Sequence, residues 1–228
     1  MSSTLLRILL VSIGVVLCAP TGVSGSTRLD DEDAGSSVSA DTIITLLSAR
    51  AEEDVQADIR AAQEVTLDAG RARALAELDK ADAKARKEMQ EERIDALEED
   101  KKRIENLRDQ TQDEAARAEF ERQKDDLERR KDLEEKWKRL FEAEESLAES
   151  ERELARALER QAQADTEFYR RELQFVLAGA SAQPEVERRV LEAWKTAMER
   201  AEDVASRRKR VIERQISVLD RAKDIREH

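Results

Sequence analysis

Apolar residues recur every seven positions in the last part of the chain, with polar and charged residues between them. Such a repeat keeps one face of a helix in line with a second helix that winds around it. It predicts a coiled-coil helix over residues 185–228. The predicted seam of this helix consists of Val190, Trp194, Ala197, Val204, Val211, Val218 and Ile225.

An earlier row of large apolar residues has the same seven-residue spacing, with Gln161 at the one polar position. Small residues, mostly alanine, fill the positions between them, and this alternation lets another helix approach closely. We expect the two rows to bury against each other. The earlier row consists of Leu133, Leu140, Leu147, Leu154, Phe168 and Phe175.

The strongest interruption of the helical pattern lies between these two rows. Gly179 suits the left-handed position just after a helix, and Pro184 suits the first turn of the next helix. A connection as short as residues 179–184 favours two antiparallel neighbours. The sequence therefore predicts a C-terminal antiparallel helical hairpin.

The remainder of the chain is expected to be helical as well. Residues 26–40 are small, polar and acidic and predict a flexible tether, and residues 41–70 predict an N-terminal helix that ends near Gly70. Residues 71–178 contain neither glycine nor proline, so we predict one charged helix or coiled coil about 160 Å long. Its middle carries acids four residues before bases, which favours an exposed helical spacer. The predicted fold class is therefore all-α and elongated.

Composition agrees with this interpretation. Charged residues make up 41% of the 228 residues and aromatic residues 3%, with only 6 glycines and 2 prolines. This profile is typical of long helices and lacks the material for a large compact core. The formal net charge of −12 argues against binding to nucleic acids or to anionic membrane surfaces.

The first 25 residues differ from the rest and predict a secretory signal peptide. One arginine precedes an apolar stretch, Ile8–Cys18, and small residues follow up to Gly25. The stretch is well short of the ~20 residues that span a bilayer. We expect cleavage after Gly25 and a secreted or periplasmic protein. The alternative is an uncleaved segment that tethers the chain to a membrane.

Residue types needed for catalysis are scarce. His228 is the single histidine, and Cys18 is the single cysteine and lies within the predicted signal peptide. Nucleophilic and metal sites usually combine such residues, so we expect no catalytic site, metal or cofactor, and no small-molecule substrate.

Two features are candidates for partner binding. Trp137 and Phe141 are possible exposed anchors, since aromatic side chains dominate many interfaces. The run Arg207, Arg208, Lys209 and Arg210 is the longest basic run in the sequence. It predicts either a solvated helix face, a docking patch for an acidic partner, or a processing site.

The sequence therefore predicts a non-enzymatic extracytoplasmic scaffold, spacer or adaptor. Its partners would be a second copy of the chain, another helical protein, or both. A holdase-type periplasmic chaperone that grips clients with helical arms is the alternative. The predicted seams are compatible with pairing within one chain and with pairing between chains.

Overall fold

A computed structural model describes residues 39–179 and 183–227, and these residues form α-helices and no β-strand. The predicted signal peptide, nearly all of the predicted tether and His228 lie outside the described residues. So do positions 180–182 of the predicted turn.

Four helices make up the described part of the chain. They are α1 (Ala40–Ser48), α2 (Glu52–Gln110), α3 (Glu114–Ala178) and α4 (Pro184–Arg226). Helix α3 packs against both α2 and α4, and the short α1 contacts α3 and α4. The predicted all-α class and the C-terminal hairpin are confirmed.

The end of α3 and the start of α4 have the local structure that glycine and proline favour. Gly179 has a φ of 55°, and its N–H donates to the carbonyl oxygens of Phe175 and Val176. Pro184 lies in the first turn of α4, where no backbone donor is needed. Antiparallel packing then places Val211 and Val218 against Leu140 and Leu147 in one apolar cluster.

The predicted division of residues 41–178 was wrong at three places. The predicted N-terminal helix is interrupted at residues 49–51, between α1 and α2. The helix does not end near Gly70, because α2 continues through this residue to Gln110. Nor is 71–178 one uninterrupted helix, because the chain leaves the helical conformation between Gln110 and Glu114. Helices α2 and α3 therefore form a second antiparallel hairpin, which is longer than the predicted one.

This second reversal uses neither glycine nor proline. The side chain of Asp113 accepts a hydrogen bond from the backbone N–H of Ala115 at 3.0 Å and so caps α3. The Arg117 guanidinium donates to the carbonyl oxygen of Thr111 at 2.7 Å, which satisfies a backbone group left free by the break. Capping chemistry and the packing of the two helices are together sufficient to turn the chain.

Small residues form the interface between α2 and α3. The buried row of α2 repeats every seven residues, and Ala148 and its equivalents on α3 are buried too. Glu145 and Glu149 on either side of Ala148 hold Lys87 and Lys80 of α2 at 3.0 and 2.7 Å. Two alanine rows allow helix axes to approach closely. The rows consist of Val55, Ala62, Ala69, Ala76 and Ala83 on α2 and Ala148, Ala155 and Ala162 on α3.

The charged middle of the chain is partly exposed, and it is paired across the two helices. Glu91, Glu98 and Glu105 of α2 bind Lys138, Lys131 and Lys124 of α3 at 3.0, 2.6 and 3.5 Å. Each step of seven residues forward along α2 is a step of seven back along α3. Each of these partly exposed pairs adds little to stability, and together they specify the register of the hairpin.

The two described glycines predict opposite effects of the same substitution. Gly70 is helical, and a Cβ atom there would meet no atom within 4 Å, whereas Gly179 has a positive φ. Gly70→Ala should raise the free energy of unfolding by about 0.5–1 kcal/mol, since alanine is the better helix former. Gly179→Ala should lower it by about 1 kcal/mol. Urea unfolding followed by circular dichroism measures both. Destabilisation by Gly70→Ala would contradict a continuous α2.

Candidate functional site

Helix α3 carries two apolar rows that lie on neighbouring faces. Leu140 and Leu147 cluster with residues of α4, while Ala148 and Ala155, one position further on, are buried on the side of α2. The predicted rows therefore pair within one chain. Of the predicted seam residues, Leu140, Leu147, Phe168, Phe175, Val190, Ala197, Val204, Val211 and Val218 are buried, and Leu133, Leu154, Trp194 and Ile225 are half-buried.

The two predicted aromatic anchors lie together on α3. The rings of Trp137 and Phe141 stack with centroids 5.9 Å apart, and the Arg86 guanidinium of α2 lies 5.3 Å from the centre of the Phe141 ring. Phe141 is therefore engaged with α2 through a cation–π contact. Trp137 keeps 36% of its surface exposed and is the more accessible of the two.

The basic run on α4 is partly paired with acids. Arg207 donates to Glu153 of α3 at 3.0 Å and to Asp203 of its own helix at 3.0 Å. Arg208, Lys209 and Arg210 are exposed. Arg210 also lines a shallow depression of about 470 Å³ between α3 and α4. The other lining residues are Ser146, Glu149, Ser150, Glu153, Glu213 and Arg214.

A row of acidic residues on α3 was missed at the sequence level. Glu144, Glu151, Asp165 and Glu172 follow a seven-residue spacing in which Leu158 holds the remaining position. Their positions fall between the row that faces α4 and the row that faces α2. The seven-residue spacing of these acids is visible in the sequence. Acidic residues on a helix usually form a solvated face, so their burial was not predicted.

Burial changes the protonation of this acidic row. Burial raises the pKa of Glu151 to about 7, and the nearby Asp79 carboxylate acts in the same direction. Burial also raises the pKa of Asp165 to about 6, against the effect of a hydrogen bond with Gln161. For Glu144, burial raises the pKa while Arg86, 3.2 Å away, opposes the shift. These carboxyl groups therefore take up protons more readily than exposed ones.

Glu172 is the most enclosed charged residue of the row, with no exposed surface. Both of its oxygens accept hydrogen bonds at 3.1 Å from Arg50, which lies in the link between α1 and α2. Arg50 also binds Asp58 at the start of α2. Burial raises the pKa of Glu172, and the adjacent guanidinium counteracts it. One arginine thereby fastens the start of α2 to α3 and positions the preceding α1.

Helix α4 also carries apolar residues on a face that points to solvent. We call Leu191, Met198, Ala205, Ile212 and Leu219 the outer row, since each directly follows a residue of the buried row. Met198, Ile212 and Leu219 expose 47%, 56% and 48% of their surface, whereas Leu191 is half-buried against the apolar cluster at the start of α4. Ile216, beside the outer row, exposes 53%. The sequence pattern predicted only the neighbouring buried row. The outer row has the same seven-residue period, so the period alone did not distinguish the two rows.

No helix among the described residues is sufficiently long and apolar to cross a membrane. Within the same residues no group of three or more histidine, cysteine or acidic side chains could hold a metal ion. A second shallow depression, of about 250 Å³, is lined by Lys136, Arg139, Arg221, Asp224 and Glu227.

Comparisons of the chain with protein-family models, with curated proteins and with solved structures found no match. The helix surfaces themselves are therefore the basis for assigning a function.

Loss of Arg50 should be far more harmful than loss of an exposed arginine. Arg50→Met leaves the carboxylate of Glu172 buried without its cation, and we expect a loss of about 2–3 kcal/mol in the free energy of unfolding. The matched control is Arg71→Met, whose pair with Asp68 is about three-quarters exposed on both sides. It should cost less than about 0.5 kcal/mol. Equal effects in urea unfolding would show that Glu172 is solvated.

Stability should increase as the pH falls from 8 to about 5.5. A carboxyl group whose folded pKa lies above its unfolded pKa binds its proton more tightly in the folded state, so protonation favours folding. Glu151 and Asp165 titrate in this window. We expect the melting temperature to rise by about 2–4 °C, and Glu151→Gln to remove part of that rise. Glu77→Gln, at an exposed position of α2, is the control. A flat profile in the unsubstituted protein would contradict the burial of these groups.

Proposed function

We propose that this chain is a non-enzymatic coiled-coil protein that works outside the cytoplasm as a scaffold, spacer or adaptor. It would act through association of its helices with helices of partner proteins, and the proposal assigns it no nucleic acid, cofactor or small-molecule substrate. The outer row of α4 carries this proposal.

The outer row supports partner binding because folding of the chain leaves it exposed from Met198 onward. Helix α4 packs against α3 through its buried row and against α1 near its start. Exposed apolar residues are common when scattered, but a row with coiled-coil spacing is a surface that a second helix can cover. The predicted signal peptide is the basis for placing this activity outside the cytoplasm.

The basic run supports the same proposal as a secondary contact. Arg208 and Lys209 are exposed close to Ala205 and Ile212 of the outer row. A partner helix that covers the outer row would place its own charged flanks beside these cations, where charge complementarity guides association more than it strengthens it.

Photo-crosslinking tests the proposal directly. Benzoylphenylalanine replaces Ile212, in the outer row, or Thr196, an exposed residue outside it. After irradiation of the secreted or periplasmic fraction, we expect a defined crosslinked protein from position 212 only, because only the outer row contacts a partner. Mass spectrometry identifies that protein.

Two outcomes would contradict a scaffold or adaptor. Equal yields from positions 212 and 196, or no product at 212, would show that the outer row is not a binding surface. Crosslinks to many unfolded proteins, with suppression of client aggregation by the purified protein, would instead establish the holdase alternative.

A further inference from the structure

The outer row and the buried row of α4 run side by side along the helix. Val190, Val204 and Val218 are buried against α3, and the residue after each of them lies about 100° further round the helix. The two rows therefore share one period but face different directions. A helix on the outer row would lie beside α4 without displacing α3.

The exposed part of the outer row extends over several turns of helix. It runs from Met198 to Leu219, which is about 31 Å of helix. Helices whose apolar residues recur every seven positions stay in contact over such distances by winding around each other. Among the described helices, α2 does not pack along α4, and the outer row is exposed at Met198, Ile212 and Leu219.

The order of side chains along the outer row fits an antiparallel copy of itself. Ala205 is the smallest member and lies at the centre, with Met198 and Ile212 seven positions to either side. Leu191 and Leu219 lie seven positions further out. In a twofold pair, residue i contacts j and j contacts i. An antiparallel pair centred on Ala205 thus places Met198 level with Ile212 of the other copy. Leu219 then lies level with Leu191, which is half-buried and also contacts the apolar cluster of its own chain.

Charges beside the outer row favour the same arrangement. Glu202 and Lys209 each lie four positions after an outer-row residue and therefore share one flank. In the antiparallel pair each Glu202 lies next to Lys209 of the other copy, which gives two symmetric ion pairs. Such exposed pairs contribute little energy, but they select a register. The aliphatic part of Lys195 can cover Ile216 of the other copy on this flank.

We propose that two copies of this chain associate antiparallel through the outer row of α4, with the twofold axis beside Ala205. This inference rests on the proposed function and names the first partner of the scaffold as the chain itself. The pairing covers the exposed Met198, Ile212 and Leu219 in both copies and leaves the α2–α3 hairpins free to reach other partners.

Engineered disulfides test both the surface and the direction. In a full-length Cys18→Ser background, Ala205→Cys should give a disulfide-linked dimer at micromolar concentration, because the two copies of this position meet at the axis. Met198→Cys alone should not, since its two copies would lie about 21 Å apart along the helices. Mixing Met198→Cys with Ile212→Cys should restore the crosslink. Thr196→Cys, exposed outside the row, is the control.

Light scattering provides the measurement without crosslinks. The unsubstituted chain, of 26.0 kDa, should have twice that mass in solution. Ile212→Glu should weaken dimerisation at least about tenfold, and Thr196→Glu should not. Because Ile212 is exposed in the single chain, both variants should keep their helix content and melting behaviour.

The outcomes separate this inference from the proposed function. A Met198→Cys self-crosslink would establish parallel pairing and overturn the proposal. A monomer in light scattering with no Ala205→Cys dimer would overturn it too. If photo-crosslinking at position 212 still captured a different protein, the adaptor function would stand while self-association failed.

Discussion

Helix α3 is the element on which the rest of the structure depends, because it presents apolar rows to two helices at once. Phe168 and Leu147 contribute to the contact with α4, and Ala148 and Ala155 to the contact with α2. Burial of these rows is the main favourable contribution to folding. The row of large residues on α3 packs against valines of α4, whereas the alanine row lets α2 approach α3 closely. Removing α3 would leave α2 and α4 with no extended apolar contact among the described residues.

Charge plays two different physical roles around α3. The lysine–glutamate pairs near the turn of the α2–α3 hairpin are partly exposed and mainly select the register of the two helices. The pair of Arg50 with Glu172 is different, because a carboxylate with no exposed surface is costly unless a cation accompanies it. The contact between Arg50 and Glu172 therefore fixes the α1–α2 link to α3. Glu151 and Asp165 occupy the same face and respond to burial by holding protons more tightly.

Sequence reasoning reached the C-terminal hairpin but not the longer one, for a physical reason. Gly179 and Pro184 restrict the backbone directly, so they are visible without knowledge of packing. The break before Asp113 depends on a cap that is common and on two rows that meet only after the chain has folded. The glutamates of α2 and the lysines of α3 are both spaced by seven residues, and this shared spacing indicates pairing between the two helices. The acid-before-base spacing of four residues suggested pairs within one helix instead. The seam residues were visible because their period is independent of the partner.

The outer row of α4 is informative because α4 does not need it to fold. The buried row already fixes α4 on α3, and most other exposed positions of the helix carry charged or polar side chains. Keeping Met198, Ile212 and Leu219 half in water costs solubility and contributes little to the contact with α3. Polar residues would serve an isolated hairpin better at these positions. The outer row keeps the seven-residue period although it is not buried. A second helix that covers it would account for this, just as α3 covers the buried row.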